Sequence, residues 1–317
     1  MENQSTQFSL KLGGIFLLVL FIMITIAAFV PKQFPVGTVV RVPKSAGLSG
    51  IAAALFNKHV ISSPFLFKAV VVSFHGQGKI VAGDYAFDEP ENLWTVVRRL
   101  TQGEQGLKPI KVTIPEGATV EDVGWILLKR IPKFDAPYFL KIAKKSEGYL
   151  FPDTYNFYPN TTADEVYDAL RKNFTKKYQE IAFDVSLSRR KPEDIVIMAS
   201  LLEREARTLE DRAVISGILW KRLDEGMPLQ VDATLVYLTG DAYTSIADTK
   251  IDSPYNTYKN KGLPIGPIAN PGIDALRAAA QPVKTPYYYY LSDKKGEMHY
   301  ASTFAGHQVN REKYLRK

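Results

Sequence analysis

"IVIMASLLEREA", residues 195–206, is apolar but for one serine over eight residues and then delivers Glu203, Arg204 and Glu205. Turned at about 100° per residue, Ile195, Met198, Ala199, Leu202 and Ala206 fall on one stripe. Glu203 and Glu205 lie roughly 80° to either side of it, and Arg204 lies opposite. Val196, Ile197 and Leu201 are off the stripe as well, so the whole helix is expected inside its domain, and its carboxylates cannot all reach bulk water. A buried carboxylate without a partner stays protonated, which is what a general acid needs. The plainer alternative is a structural ion pair with Arg207, Arg212 or Lys221. Periodicity does not choose between Glu203 and Glu205.

The segments around this helix continue an α+β pattern. "KPED" opens it, with Pro192 at its start. After it come a second helix, "DRAVISGILWKRLDEG", a short polar-apolar stretch, "PLQVDATLVYLTG", and a loop, "SPYNTYKNKGLPIGPIANPG". A loop this long without a helical period commonly lines a site, and tyrosines beside amides suit a sugar's C–H faces and hydroxyls. The alternative is a surface loop stiffened by proline. A helix, "IDALRAAAQP", and a hairpin-like pair, "PYYYYLSD" and "EMHYAST", turned at Lys295-Gly296, end the pattern.

Upstream, "IKVTIPEGATVEDVGWILLKR" reads as strand, turn and helix with Thr119 as N-cap. "EGYLFPDTYNFYPNTT" reads as an aromatic loop, its two prolines and Asn160 breaking any regular element. Residues 32–108 follow a β-α-α-β order with an added helix ending near Gly103, a C-cap position. A similar strand-turn-helix starts at Val39, suggesting a weak internal repeat.

From Leu12 to Pro31 no residue is charged, a length that matches a hydrocarbon core of about 30 Å. An uncleaved anchor is expected, because the apolar core is longer than a usual signal-peptide h-region and no convincing small-x-small cleavage site precedes Lys32. Lys11 on one side against Lys32, Arg41 and Lys44 on the other leaves orientation open. A tail at 1–11 followed by a bulky body fits a single-pass protein whose body lies outside the cytoplasm. The chain has 317 residues, enough for two or three folded units. Lys and Arg number 40 against 33 Asp and Glu, a net charge of +7 that favours a polyanionic neighbour. The basic residues are scattered, and no nucleic-acid motif or Gly-rich phosphate loop appears. The absence of cysteine removes disulfides, thiol catalysis and thiolate metal sites. His59, His75, His299 and His307 show no ligand spacing, so neither a metal nor another cofactor is expected. Ser188-Lys191 and Ser292-Lys295 match S-x-x-K only formally.

"EGYLFPDTY", "ASLLERE", "LQVDATLVY", "YNTY…GLPIGPIANPG" and "TFAGHQVN" resemble, in order, the signatures of the YceG-like endolytic murein transglycosylases. The resemblance covers nearly the whole chain. It implies a bacterial enzyme in the inner (cytoplasmic) membrane, held by one helix at 12–31, that cuts nascent peptidoglycan strands internally. It implies a LysM-like βααβ module at 32–108, a second α+β segment at 109–190 and a mixed α+β catalytic domain at 191–317. By position, Glu203 matches the catalytic acid and Glu205 a second acidic position. Gln230, Asp232, Tyr255, Asn256, Thr257, His307 and Asn310 fall on positions that shape the cleft. The implied partners are peptidoglycan strands, the membrane and peptidoglycan synthases. Val231 and Ala233 stand where many members have Thr and Pro, and Ile265 replaces a common proline.

Glycoside hydrolases ordinarily use two carboxylates. A lytic transglycosylase manages with one, because its nucleophile is the C6 hydroxyl of the same N-acetylmuramic acid, already tethered near C1. One glutamic acid can protonate the glycosidic oxygen and then take the hydroxyl proton, leaving a 1,6-anhydro end. Two rival readings stand beside it: a non-catalytic peptidoglycan-binding scaffold that recruits synthases, and a water-using muramidase.

Overall fold

The computed structural model describes residues 25, 29–43, 46–74, 80–241 and 243–315. The expected tail lies outside these residues, as does the anchor apart from residues 25 and 29–31. Among the described residues no helix is long and apolar enough to cross a membrane. The fold is mixed α+β, mostly helical with small two-stranded sheets. The chain divides into two compact units, one running to Pro109 with Tyr158–Asn160, the other comprising Ile110–Phe157 and Thr161 onward.

In the first unit β1 (Thr38–Val42) pairs antiparallel with β2 (Gly83–Phe87), from Thr38 against Phe87 to Val42 against Gly83. Between them run α1 (Leu48–Asn57) and α2 (Pro64–Phe74), and α3 (Leu93–Gln102) comes after β2. Alternation along β1 sends Val40 and Val42 into a core with Leu55, Phe67, Tyr85 and Leu100. Gly103 ends α3 in the left-handed conformation at φ 73°, the C-cap anticipated from the sequence.

The second unit begins with the same order. β3 (Ile110–Thr113), α4 (Val120–Arg130), α5 (Ala136–Ala143) and β4 (Thr154–Phe157) form another β-α-α-β with an antiparallel strand pair. The expected repeat therefore extends beyond strand-turn-helix to the whole motif. Thr119 caps α4 in a reciprocal box with Asp122. The aromatic loop contains a strand, contrary to the expectation from its prolines. Between Pro152 and Pro159 there is room for the four residues of β4, three of them β-formers (Thr154, Tyr155 and Phe157), and the Thr113 and Thr154 hydroxyls meet at 2.9 Å across the pair.

The rest of the unit comprises α6 (Ala163–Gln179), α7 (Ala182–Ser188), α8 (Pro192–Glu205), α9 (Leu209–Asp224), α10 (Asp232–Thr239), α11 (Ile273–Ala280), the β5 (Tyr289–Ser292) and β6 (Met298–Ala301) hairpin, and α12 (Phe304–Tyr314). The polar-apolar stretch before the long loop is helical from Asp232. Every residue from Ile195 to Leu202 is buried, so α8 is the central helix. It packs on α9, α10 and α11, and the buried alanines 275, 278, 279 and 280 let α11 approach closely. Residues 110–157 and 161–190 belong to the same compact unit as residues 191–317, within which they hold an apolar core of their own. Asn270 joins the two parts. It is fully buried, accepts from Leu150 N–H at 2.8 Å, and donates to the Ala118 carbonyl at 2.8 Å and to Glu147 at 3.2 Å.

Candidate active site

Helix α8 ends where its two acidic residues part ways. Glu203 is turned into the protein, its side chain 4% exposed. Oε1 accepts from Arg212 of α9 at 2.5 Å, and Oε2 accepts from Gly272 N–H, the N-cap of α11, at 2.9 Å. A carboxylate at a helix N-terminus facing a guanidinium is a structural clamp. Burial pushes its pKa up, against the Gly272 N–H and Arg212, and each oxygen is already engaged by one of these two donors. Glu203, expected as the acid, thus holds α8, α9 and α11 together and does not line the cleft.

Glu205 does. Beyond Leu202 the helix leaves the core, and its last residue reaches a cavity of about 600 Å³. The carboxyl accepts from the Tyr290 hydroxyl and the Ala233 N–H, at the first turn of α10. Burial pushes its pKa up to about 7, and the charge on Asp232 adds to the rise. Among the described residues no cation offsets it. Ala233 occupies a position where the family pattern often has proline, which would have no N–H to give.

Gln230, Asp232 and His307, all expected from the sequence, line the same cavity. Gln230 takes φ 52°, and its N–H donates to the Thr257 carbonyl at 3.1 Å. Thr257 Oγ1 accepts from Val231 N–H at 2.9 Å. Thr257 therefore does not face the cavity; it fixes the turn that aims Asp232. The Tyr258 hydroxyl donates to Asp232. Asn256, fully buried, gives its amide hydrogens to the carbonyls of Thr249 at 3.1 Å and Ile251 at 2.8 Å, which folds the long loop on itself. Tyr255 packs at 5.1 Å against Tyr237, and Asn310 donates to the Tyr300 carbonyl at 3.3 Å. The structure therefore leaves Glu203, Tyr255, Asn256, Thr257 and Asn310 out of the cavity wall.

The wall also holds Arg222, Tyr289, Tyr290 and Arg311, which lie outside the quoted motifs, and Tyr258 and Phe304, which lie within "YNTY" and "TFAGHQVN" but are not among the expected site residues. The Tyr287–Tyr290 run is a visible signal, but alternation along it points only to a strand with one face in the core. Phe304, His307 and Arg311 fall at helical spacing on one face of α12, a helix not anticipated from the sequence. Asp293, Glu297 and His299 bring potential metal-ligand atoms within 4.8 Å of one another, a grouping that histidine spacing does not display. Asp293 is already engaged by His299 at 3.1 Å and by the N–H groups of Lys295 and Glu297, so the trio locks the β5–β6 turn.

The cavity of about 600 Å³ thus offers one carboxyl whose pKa burial raises to about 7, a second carboxyl at Asp232, and aromatic walls. Residues 40–313 match the YceG-like family. The chain is 32% identical over 305 residues to an endolytic murein transglycosylase of Bacillus subtilis, covering 87% of this chain and 84% of that protein. It is 35% identical over 177 residues to the protein of the same name from Streptococcus pneumoniae, spanning 52% of this chain and 31% of that one. A crystal structure of a YceG-like protein from Listeria monocytogenes superposes with a TM-score of 0.58 at 28% identity, over 86% of this chain and 98% of that one. By the extent of the family match and of the Bacillus relative, the chain belongs to the YceG-like family.

Proposed function

We propose that this protein is an endolytic murein transglycosylase that cleaves the bond between N-acetylmuramic acid and N-acetylglucosamine, with Glu205 as acid and then base. The observation that carries the assignment of the acid is the carboxyl of Glu205 on an open cavity with its pKa near 7. At neutral pH a large fraction is protonated and can give its proton to the glycosidic oxygen. Once ionised, the same group accepts the C6 hydroxyl proton as that oxygen closes on C1. The Tyr290 hydroxyl and Ala233 N–H stabilise the carboxylate between the two transfers. Asp232, negative and close enough to raise Glu205, opposes the positive charge that develops at C1. Tyr258, Tyr289 and Phe304 supply faces on which sugar rings stack.

Asp232 also supports a second reading. A second carboxylate in the same cavity is what a hydrolytic muramidase needs to activate water. Mass spectrometry of the products separates the two: anhydro ends support the first reading, reducing ends the second. Glu205→Gln, correctly folded, should yield neither. A scaffold without activity would bind strands and leave parent and variant alike.

Residues 12–31 would hold the enzyme in the cytoplasmic membrane with its body outside, where nascent strands and their synthases lie. The first unit's β-α-α-β would serve as a LysM-like module. Protease protection of tagged ends in intact cells tests the orientation; a protease-resistant body would contradict it.

A further inference from the structure

Away from its acid, the cavity carries positive charge that the protein does not neutralise. Arg222 of α9 lines the wall at 6% exposure. Its Nε and Nη1 donate to the carbonyls of Tyr288 and Leu229 at 2.8 and 2.9 Å, and the guanidinium lies 5.0 Å from the Tyr289 ring centroid. These contacts fix the group without cancelling its charge. The groups that act on it electrostatically are Tyr290, Tyr289 and Tyr258, not a carboxylate. Arg311 enters from α12, one turn beyond His307, and forms no ion pair among the described residues. His307 lines the same cavity as both arginines, and burial first, then the two guanidiniums, disfavours its protonation. The Nδ1 of that ring is enclosed with no hydrogen-bond partner.

A buried guanidinium at Arg222, with a second guanidinium on the same cavity wall, favours an anion that joins the two. The sugar rings of murein are uncharged. Its carboxylates sit on the lactyl arm of N-acetylmuramic acid, as the lactate itself once the peptide is removed or as those of the attached peptide stem. Building on the reading of this cavity as a strand-cleaving site, we infer that Arg222 and Arg311 form a subsite for a carboxylate carried on the lactyl arm of the substrate. Guanidinium groups suit that ligand because their planar N–H forks match a carboxylate. Tyrosines 258 and 290 stand between this basic wall and the acidic one, each interacting with a carboxylate and with Arg222.

The test is calorimetric binding to full-length Glu205→Gln protein, which also shows separately whether that variant still cuts. Three strand fragments are compared: with intact stems, denuded to the lactate, and with every carboxylate amidated. The charged fragments are expected to bind about tenfold more tightly than the amidated one. Whichever charged fragment gains more identifies the carboxylate. Adding Arg311→Gln, at an exposed helix position, should bring charged and amidated fragments to equal affinity. Equal affinities before that change, a preference that survives it, or no binding of any fragment overturns the inference. Cleavage by Glu205→Gln would sink the choice of acid and leave this comparison readable.

Discussion

Two glutamates separated by a single arginine are assigned opposite roles in the proposed mechanism, on the basis of what their oxygens touch. Glu203 has a cation and a helix N-terminus; Glu205 has a phenol, one N–H and open space. Because the proposed mechanism needs Glu205 protonated at the start of the cycle, kcat/KM is expected to fall tenfold per pH unit above about 7. A profile flat to pH 9 would contradict this. Ala233→Pro removes one donor to the carboxylate and should move that limb to higher pH. The same shift has a stability sign. The folded pKa lies above the ordinary value of about 4.3, so the native state holds more protons across that interval and loses stability as pH rises through it. Glu147, pushed up to about 7 by burial, contributes in the same direction. The Tm advantage of Glu205→Gln over the parent should therefore grow from pH 5 to pH 8, and an unchanged difference would count against it. Glu203→Gln breaks a buried pair and is expected to cost about 3 kcal/mol in chemical denaturation. None of this distinction was legible in the sequence. The two carboxylates sit symmetrically about the apolar stripe, and the residues that break the symmetry, Tyr290 and Arg212, come from other elements.

At the scale of elements, the central helix was legible because its apolar run is longer than one face can use, so that it must be buried on all sides. The caps at Thr119 and Gly103 were legible for local reasons, a side-chain acceptor and a left-handed glycine. Helix α12 and strand β4 were not. The first presents a mixed face whose aromatic and basic residues find their use only at the cavity, and the second depends on β3 about forty residues earlier. The wall carrying Tyr289 and Tyr290 rests on close packing over α9. A Cβ at Gly217 would lie 1.9 Å from the Val283 carbonyl oxygen, and Val283 N–H donates to the Ala213 carbonyl at 3.0 Å. Gly217→Ala should cost about 2 kcal/mol despite alanine's better helix propensity. It should also lower activity by shifting the segment that leads into β5. A stabilised or fully active variant would show that this approach is dispensable.

For the molecule as a whole, composition set limits and the ordered motifs gave the family, whereas the cavity is assembled from α8, α9, α10, the long loop, the hairpin and α12, which no single stretch displays. The repeated β-α-α-β order was visible only in its first half, since pairing of distant strands leaves little local trace. On the proposed mechanism, strand cleavage depends on Glu205, which lines the assembled cavity, and not on Glu203. The most direct measurement is mass spectrometry of glycan-strand products from parent, Glu205→Gln and Glu203→Gln proteins, each shown to be folded. Anhydro ends from the parent and from Glu203→Gln, with a loss of roughly 10²–10⁴-fold in Glu205→Gln, are the predicted result. Persistent cleavage by Glu205→Gln, with the loss falling on Glu203→Gln instead, would contradict it.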